Sequence, residues 1–236
     1  MNPTKSVKNT RGQLDKCGYE DIISLPEFNA AGFLSSNVAQ HRTAAARYMR
    51  IYPDQSYLPL LCRALENEKK LYAKIEICET LAFYGEPALE YLVAVLGRIG
   101  GNQHTEPVNC DLSKKSYPLP RDIAARTIIR IGTAALPRLI AALGGADEKI
   151  ISEAIDAIGH ISFTAKDTSA RAALIKLYEQ SPQALIEWKL VRAFQAFGCD
   201  EVKTILEAIL SAPEKDEILK NEARRSLARI SARYAR

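Results

Sequence analysis

The sequence predicts an all-α protein, an α-solenoid of stacked antiparallel helix pairs, and three observations carry that expectation. Apolar residues recur at three- and four-residue spacing along most of the chain, the period of helices that bury one stripe. Glycines punctuate these stripes where one helix ends and the next begins. No strand-like alternation competes anywhere.

The repeat is clearest in "AKIEICETLAFYGEPALEYLVAVLG", "PRDIAARTIIRIGTAALPRLIAALG" and "EWKLVRAFQAFGCDEVKTILEAIL", aligned on Gly85, Gly132 and Gly198. Leu81, Ile128 and Phe194 precede the glycines by four residues. Leu89/Leu92/Val93/Leu96, Leu136/Leu139/Ile140/Leu143 and Val202/Ile205/Leu206/Ile209 follow at matching positions. Each glycine suits a helix C-terminus, where a left-handed residue penalises a Cβ. Pro87 and Pro137 suit the first turn of the second helix, where a missing N–H is harmless. One such pair cannot bury its apolar face alone, so neighbouring pairs must stack.

These units resemble HEAT repeats, and "ARTIIRIGTAALPRLIAAL" is also similar to the HEAT-like repeats of phycobilisome lyases. The resemblance covers about residues 38–236. It implies a right-handed superhelix of about five repeats plus capping helices, with second helices along a concave face. It implies little about function, because unrelated tasks share such scaffolds.

In chain order, residues 1–36 are expected to form an N-terminal tail and capping segment, with the first 15 or so disordered, and residues 37–236 the repeat domain. A first helix is expected from about Val38 to Ile51, followed by a stripe of Leu58, Leu61, Cys62 and Leu65. The pair at Gly85 comes next, then an insertion over 97–120, "GRIGGNQHTEPVNCDLSKKSYPLP", where the counterpart joint after Leu143 is only "GGADE". Long connections in compact arrays tend to be functional or disordered, so this one reads as either a solvent-exposed linker or a binding loop. Pro120 and Asp122 suit the start of the following helix. "IISEAIDAIG" reads as a first helix ended by Gly159, with a delayed partner at Ala170, Ala173, Leu174 and Leu177. The last helix offers a seam of Leu219, Ala223, Leu227, Ile230 and Tyr234.

A chain of 236 residues, 47% hydrophobic and 25% charged, with a net charge of +4, implies neither a nucleic-acid nor a membrane partner. Five scattered cysteines without a C-x-x-C pair make a poor disulfide framework and a poor zinc site. With no signal-like apolar run at the start and none long enough to span a bilayer, the expectation is a cytoplasmic protein without a membrane partner.

Chemistry is sparse. His41, His104 and His160 stand apart, each expected to be partly solvated or capping, His160 after a helix-ending glycine. No His-Glu dipeptide provides the iron ligands of HEAT-like hydroxylases, and there is no G-x-S-x-G, G-K-[ST] or G-x-G-x-x-G motif. His104, Cys110 and Asp111 are too irregular for a metal site. An alkylpurine-glycosylase-like groove needs several aromatics, and Trp188 is the one tryptophan. It is expected to pack against a neighbouring repeat, with Lys189 and Arg192 solvated.

The expected function is therefore non-enzymatic, without cofactor or metal: a scaffold that binds another protein through its concave face and the 97–120 loop. Candidate contacts are Lys114, Lys115, Tyr117 and Arg121 on the loop, with Tyr91, Arg138 and Glu207 on second helices. One alternative is a phycobilisome-lyase-like accessory protein. The other is nucleic-acid binding through Arg225, Arg229 and Arg233 on the basic C-terminal helix, which is not favoured, because a solvated cap explains the same charges.

Overall fold

The computed structural model describes residues 11–109, 116–180 and 182–234. Among them are thirteen α-helices, three short 3-10 turns and no strand. The chain divides into two compact units, one ending at Tyr91 and one starting at Leu92. Within each, helices stack in the layered manner of an α-solenoid.

The first unit holds α1 (Lys16–Ile23), α2 (Ala30–Leu34), α3 (Ala39–Ile51), α4 (Leu58–Asn67) and α5 (Leu71–Tyr84). Asp15 and Asn29 open α1 and α2 by accepting the N–H of Gly18 and Gly32, the usual task of an N-cap oxygen. Three consecutive alanines, Ala44 to Ala46, are fully buried on α3 and let α5 approach closely. The two helices run parallel: the Thr80 hydroxyl donates to the Ala46 carbonyl at 2.8 Å and the Tyr84 hydroxyl to that of Met49 at 3.0 Å. The predicted stripe of α4 is buried as a set. Burial pushes the Cys62 thiol up to about 12, as suits a small hydrophobe. The expected N-terminal disorder does not extend through residues 11–15. Thr43 donates to the Gly12 carbonyl at 2.7 Å, and the Tyr72 N–H donates to that of Arg11 at 3.1 Å. Residues 1–10 lie outside the described residues.

α6 (Glu86–Ala94) leads into the second unit. There α7 (Ile123–Ile131), α9 (Glu148–Ala165), α11 (Ala184–Ala193) and α13 (Glu217–Tyr234) form one layer. α8 (Leu136–Ala142), α10 (Arg171–Glu179) and α12 (Asp200–Ser211) each pack on the helix that follows. Hydroxyl-to-carbonyl rungs recur here: Ser226 donates to Val191 at 2.9 Å and Tyr234 to Ala196 at 2.8 Å.

Gly85 and Gly132 turn the chain at φ of 66° and 80°, a region that favours glycine. Two other glycines do different work. α9 runs unbroken through Gly159 to Ala165, so neither a helix end there nor a capping role for His160 holds. A Cβ at Gly159 would lie 1.9 Å from the Tyr117 hydroxyl, and one at Gly198 would lie 2.5 Å from the Tyr234 ring. Both positions are glycine because an aromatic side chain fills the space.

Gly159→Ala is therefore expected to lose about 1–3 kcal/mol by overpacking, read by urea denaturation. The same substitution combined with Tyr117→Ala should cost less than the two single changes added, because the clash is gone.

Candidate functional site

The described residues of the inserted connection, 97–109 and 116–120, include several that pack onto the helices of the second unit. Asp122, fully buried, caps α7 through the Ala125 N–H at 2.8 Å. Its other oxygen accepts from the Gly97 N–H at 3.2 Å and the Gln103 amide at 2.8 Å, tying both ends of the connection together. Burial raises the Asp122 carboxyl above its ordinary value, against these hydrogen bonds. From the same connection the His104 ring stands edge-on to Trp188 at 5.0 Å, and Tyr117 packs on Phe163 at 5.6 Å and His160 at 5.9 Å.

Beneath these rings runs a row of buried charges on α9, α11 and α13. The Lys189 ammonium, wholly buried, meets Glu153 at 2.7 Å and Asp156 at 2.9 Å, and donates to the Ser152 carbonyl at 3.3 Å. The Arg192 guanidinium lies 3.7 Å above the Trp188 ring and reaches Glu222 at 3.5 Å. Arg225 completes the row with a 2.8 Å bond to Glu222. Three cations face three carboxyl groups along the row. Each member is isolated from water, which makes removal of one partner expensive.

At the α9–α11 end two carboxylates share one ammonium. Burial works against the charge of Lys189, but the two carboxylates outweigh it and hold the amine above its ordinary value. Glu153 is pushed the other way for a carboxylate, by burial first and with Asp156 adding to it, up to about 7. Burial against Trp188, together with the nearby Arg121 and Arg192 charges, depresses His104 to about 4.

The expected solvation of Lys189 and Arg192 is thus overturned: both are buried, and the Trp188 ring supports the second. Arg225 is also buried, and Arg233 lies over the Phe163 ring and donates to the Phe163 carbonyl. Arg229 is half-buried. The stripe expected to face solvent is in large part spent on helix-to-helix contacts. Tyr117, expected as a contact residue, is core. Arg121, Tyr91, Arg138 and Glu207 are exposed, while Lys114, Lys115, Cys110 and Asp111 lie outside the described residues. Among the described residues of the connection, His104 and Tyr117 pack their rings against the helices of the second unit.

One surface was missed at the sequence level. On α5, Leu71, Ile75 and Phe83 stand at i, i+4 and i+12, and are 50%, 39% and 59% exposed. Ala73, Ile77, Thr80 and Leu81 on the same helix are buried. Ile51 and Tyr52, at the end of α3, are exposed as well. The signal was present, since "LYAKIEICETLAFY" has apolar residues on every side of the helix, more than a single buried face accounts for.

The chain is a helical-repeat protein. No protein-family model matches it, and no curated protein matches its sequence. Among solved structures it is similar to two engineered proteins, 17% and 16% identical, with TM-scores of 0.40 and 0.42. Each similarity covers 86% of this chain, with 97% and 95% of the respective partner covered. It is also similar to a designed armadillo repeat protein solved in complex with the peptide (KR)4, 18% identical with a TM-score of 0.40, over 85% of this chain and 98% of that one. No helix among the described residues is long and apolar enough to cross a membrane.

Lys189→Met should cost about 3–5 kcal/mol, because it strands two buried carboxylates. Adding Glu153→Met and Asp156→Leu should recover most of that loss in the same denaturation assay. Titration gives a second check. Glu153 has a folded pKa of about 7 against an ordinary 4.5, so between these values the native state binds more protons than the unfolded state. Its contribution is complete below 4.5 and is lost as pH rises through 7. The stability of the wild type relative to Glu153→Gln should accordingly fall across that window.

Proposed function

We propose that this protein is a non-enzymatic helical-repeat scaffold that binds another protein. The observation that carries this reading is the set of exposed apolar residues Leu71, Ile75 and Phe83 on α5, a helix that buries Ala73, Ile77, Thr80 and Leu81. Exposed apolar side chains gathered on one helix are a mark of an interaction site, and aromatic residues such as Phe83 and Tyr52 are favoured anchors. The exposed second-helix residues Tyr91, Arg138 and Glu207, with Arg121 beside the inserted connection, are further proposed contacts. Nucleic acid is disfavoured as the partner, since Arg225 is already neutralised by Glu222 in the interior.

On this reading the repeats are HEAT-like, residues 37–236 act as one repeat domain preceded by 1–36 as an N-terminal tail and capping segment, and the protein works in the cytoplasm without a cofactor. The test is affinity capture from native extract with the wild type and with Ile75→Asp/Phe83→Asp. Both positions are exposed, so helical circular dichroism should be unchanged. A specific partner retained by the wild type should be lost with the variant. Equal retention by both, or none by either, refutes the reading.

A further inference from the structure

The first unit also contains a depression of about 470 Å³ between α2, α4 and the turn leading into α5. Its lining combines an apolar floor of Leu34, Leu60 and Ala64 with the cations Arg63, Lys69 and Lys70 on the rim, and with the polar Ser35, Asn67 and Glu68. The state of these charges distinguishes the rim from other cations of this unit. Arg42, which also borders the depression, is consumed by Glu68, with bonds of 2.6 and 2.8 Å, and donates to the Ser36 carbonyl at 2.6 Å. Arg47 and Arg50 are held by Glu76 and Glu79. The side chains of Arg63, Lys69 and Lys70, all exposed, have no acidic or hydrogen-bonding partner among the described residues.

The rim is also built to stay in place. Glu68 is buried, and one of its oxygens accepts the backbone N–H groups of Lys69 and Lys70 at 2.9 and 2.7 Å. The turn that presents the two lysines is therefore fixed by the same carboxylate that neutralises Arg42. Three uncompensated positive charges surround an apolar floor, and that charge pattern defines the complement.

We propose that this depression docks an acidic segment of another protein, whose apolar side chain enters the Leu34–Leu60–Ala64 floor while its carboxylates meet Arg63, Lys69 and Lys70. The inference rests on the scaffold reading and names the chemistry of the partner. It favours a peptide over nucleic acid for two reasons. The apolar part of the lining suits an apolar side chain of a peptide, and none of the lining residues is aromatic, so bases have no surface on which to stack. Lys70 immediately precedes Leu71, the first residue of the exposed α5 stripe, so the charged rim runs directly into apolar surface.

The probe is a fluorescein-labelled peptide, Glu-Asp-Leu-Glu-Asp-Leu-Glu, followed by fluorescence anisotropy with the full chain. The comparison probes are the same peptide with both leucines replaced by glycine, its all-lysine counterpart, and a labelled DNA duplex. The acidic leucine peptide is expected to bind, more weakly as salt rises. Its affinity should fall about tenfold or more in Arg63→Glu/Lys69→Glu/Lys70→Glu and again in Leu60→Asp. The glycine peptide should bind less well, and Lys176→Glu, on α10, should change nothing. Arg63→Gln/Lys69→Gln/Lys70→Gln provides a milder variant if the charge reversal disturbs the fold. No binding by the intact chain, binding unmoved by the rim variants, or tighter rim-dependent binding of the DNA duplex each overturns the proposal. If these results appear while partner capture still depends on Ile75 and Phe83, the docking site alone fails. If capture fails as well, the scaffold reading falls with it.

Discussion

The second unit depends on one constraint: the Lys189 ammonium sits in a dry interior and must be matched by carboxylates at hydrogen-bond distance. Glu153 and Asp156 supply them from α9, one turn apart. A charge stripped of water tolerates little displacement of its partners, so this contact sets the register of α11 on α9. Arg192, Glu222 and Arg225 extend the same demand to α13. The row also needs a cover, and the chain between α6 and α7 provides it. Gly159 lacks the Cβ that would exclude Tyr117, and His104 covers the Trp188 edge. Among the described residues of the long insertion, His104 and Tyr117 are the side chains that close over this end of the unit.

The first unit handles a related problem differently. Parallel α3 and α5 are also joined by a hydroxyl-to-carbonyl rung, Thr80 to Ala46, 34 residues apart, where Ser226 to Val191 is 35 apart. Its cross-helix ions, Arg47 and Arg50 with Glu76, are partly open to water. Apolar positions on α5 stay outside, and the cations near the α4–α5 turn stay unpaired. The apolar and cationic surfaces on which the functional readings chiefly rest therefore lie in the first unit.

Much of the local structure was legible. The α4 stripe of Leu58, Leu61, Cys62 and Leu65 and the turns at Gly85 and Gly132 follow from spacing and capping chemistry; α7 was expected from Pro120 but starts at Ile123, with Asp122 as its N-cap. Gly159 and Gly198 were misread for a clear reason. Glycine answers two needs, a positive φ and a missing Cβ, and a sequence does not say which. Lys189, Arg192 and Arg225 were misplaced because a charged residue on a helix is solvated unless a distant partner encloses it. The α5 surface was overlooked because an apolar position is assigned to the core by default, and whether anything covers it is a property of the assembled unit.

The sequence by itself determined the all-α class and the course of most helices, because helix periodicity and caps are set by residues within a few positions of each other. Only the tertiary structure decided which faces are covered, which charges are neutralised and which cations remain available. Those outcomes depend on groups far apart in the chain: Glu153 and Lys189 are 36 residues apart, and Phe163 and Arg233 are 70 apart. Burial is a relation between such groups, and no short stretch of sequence contains both members.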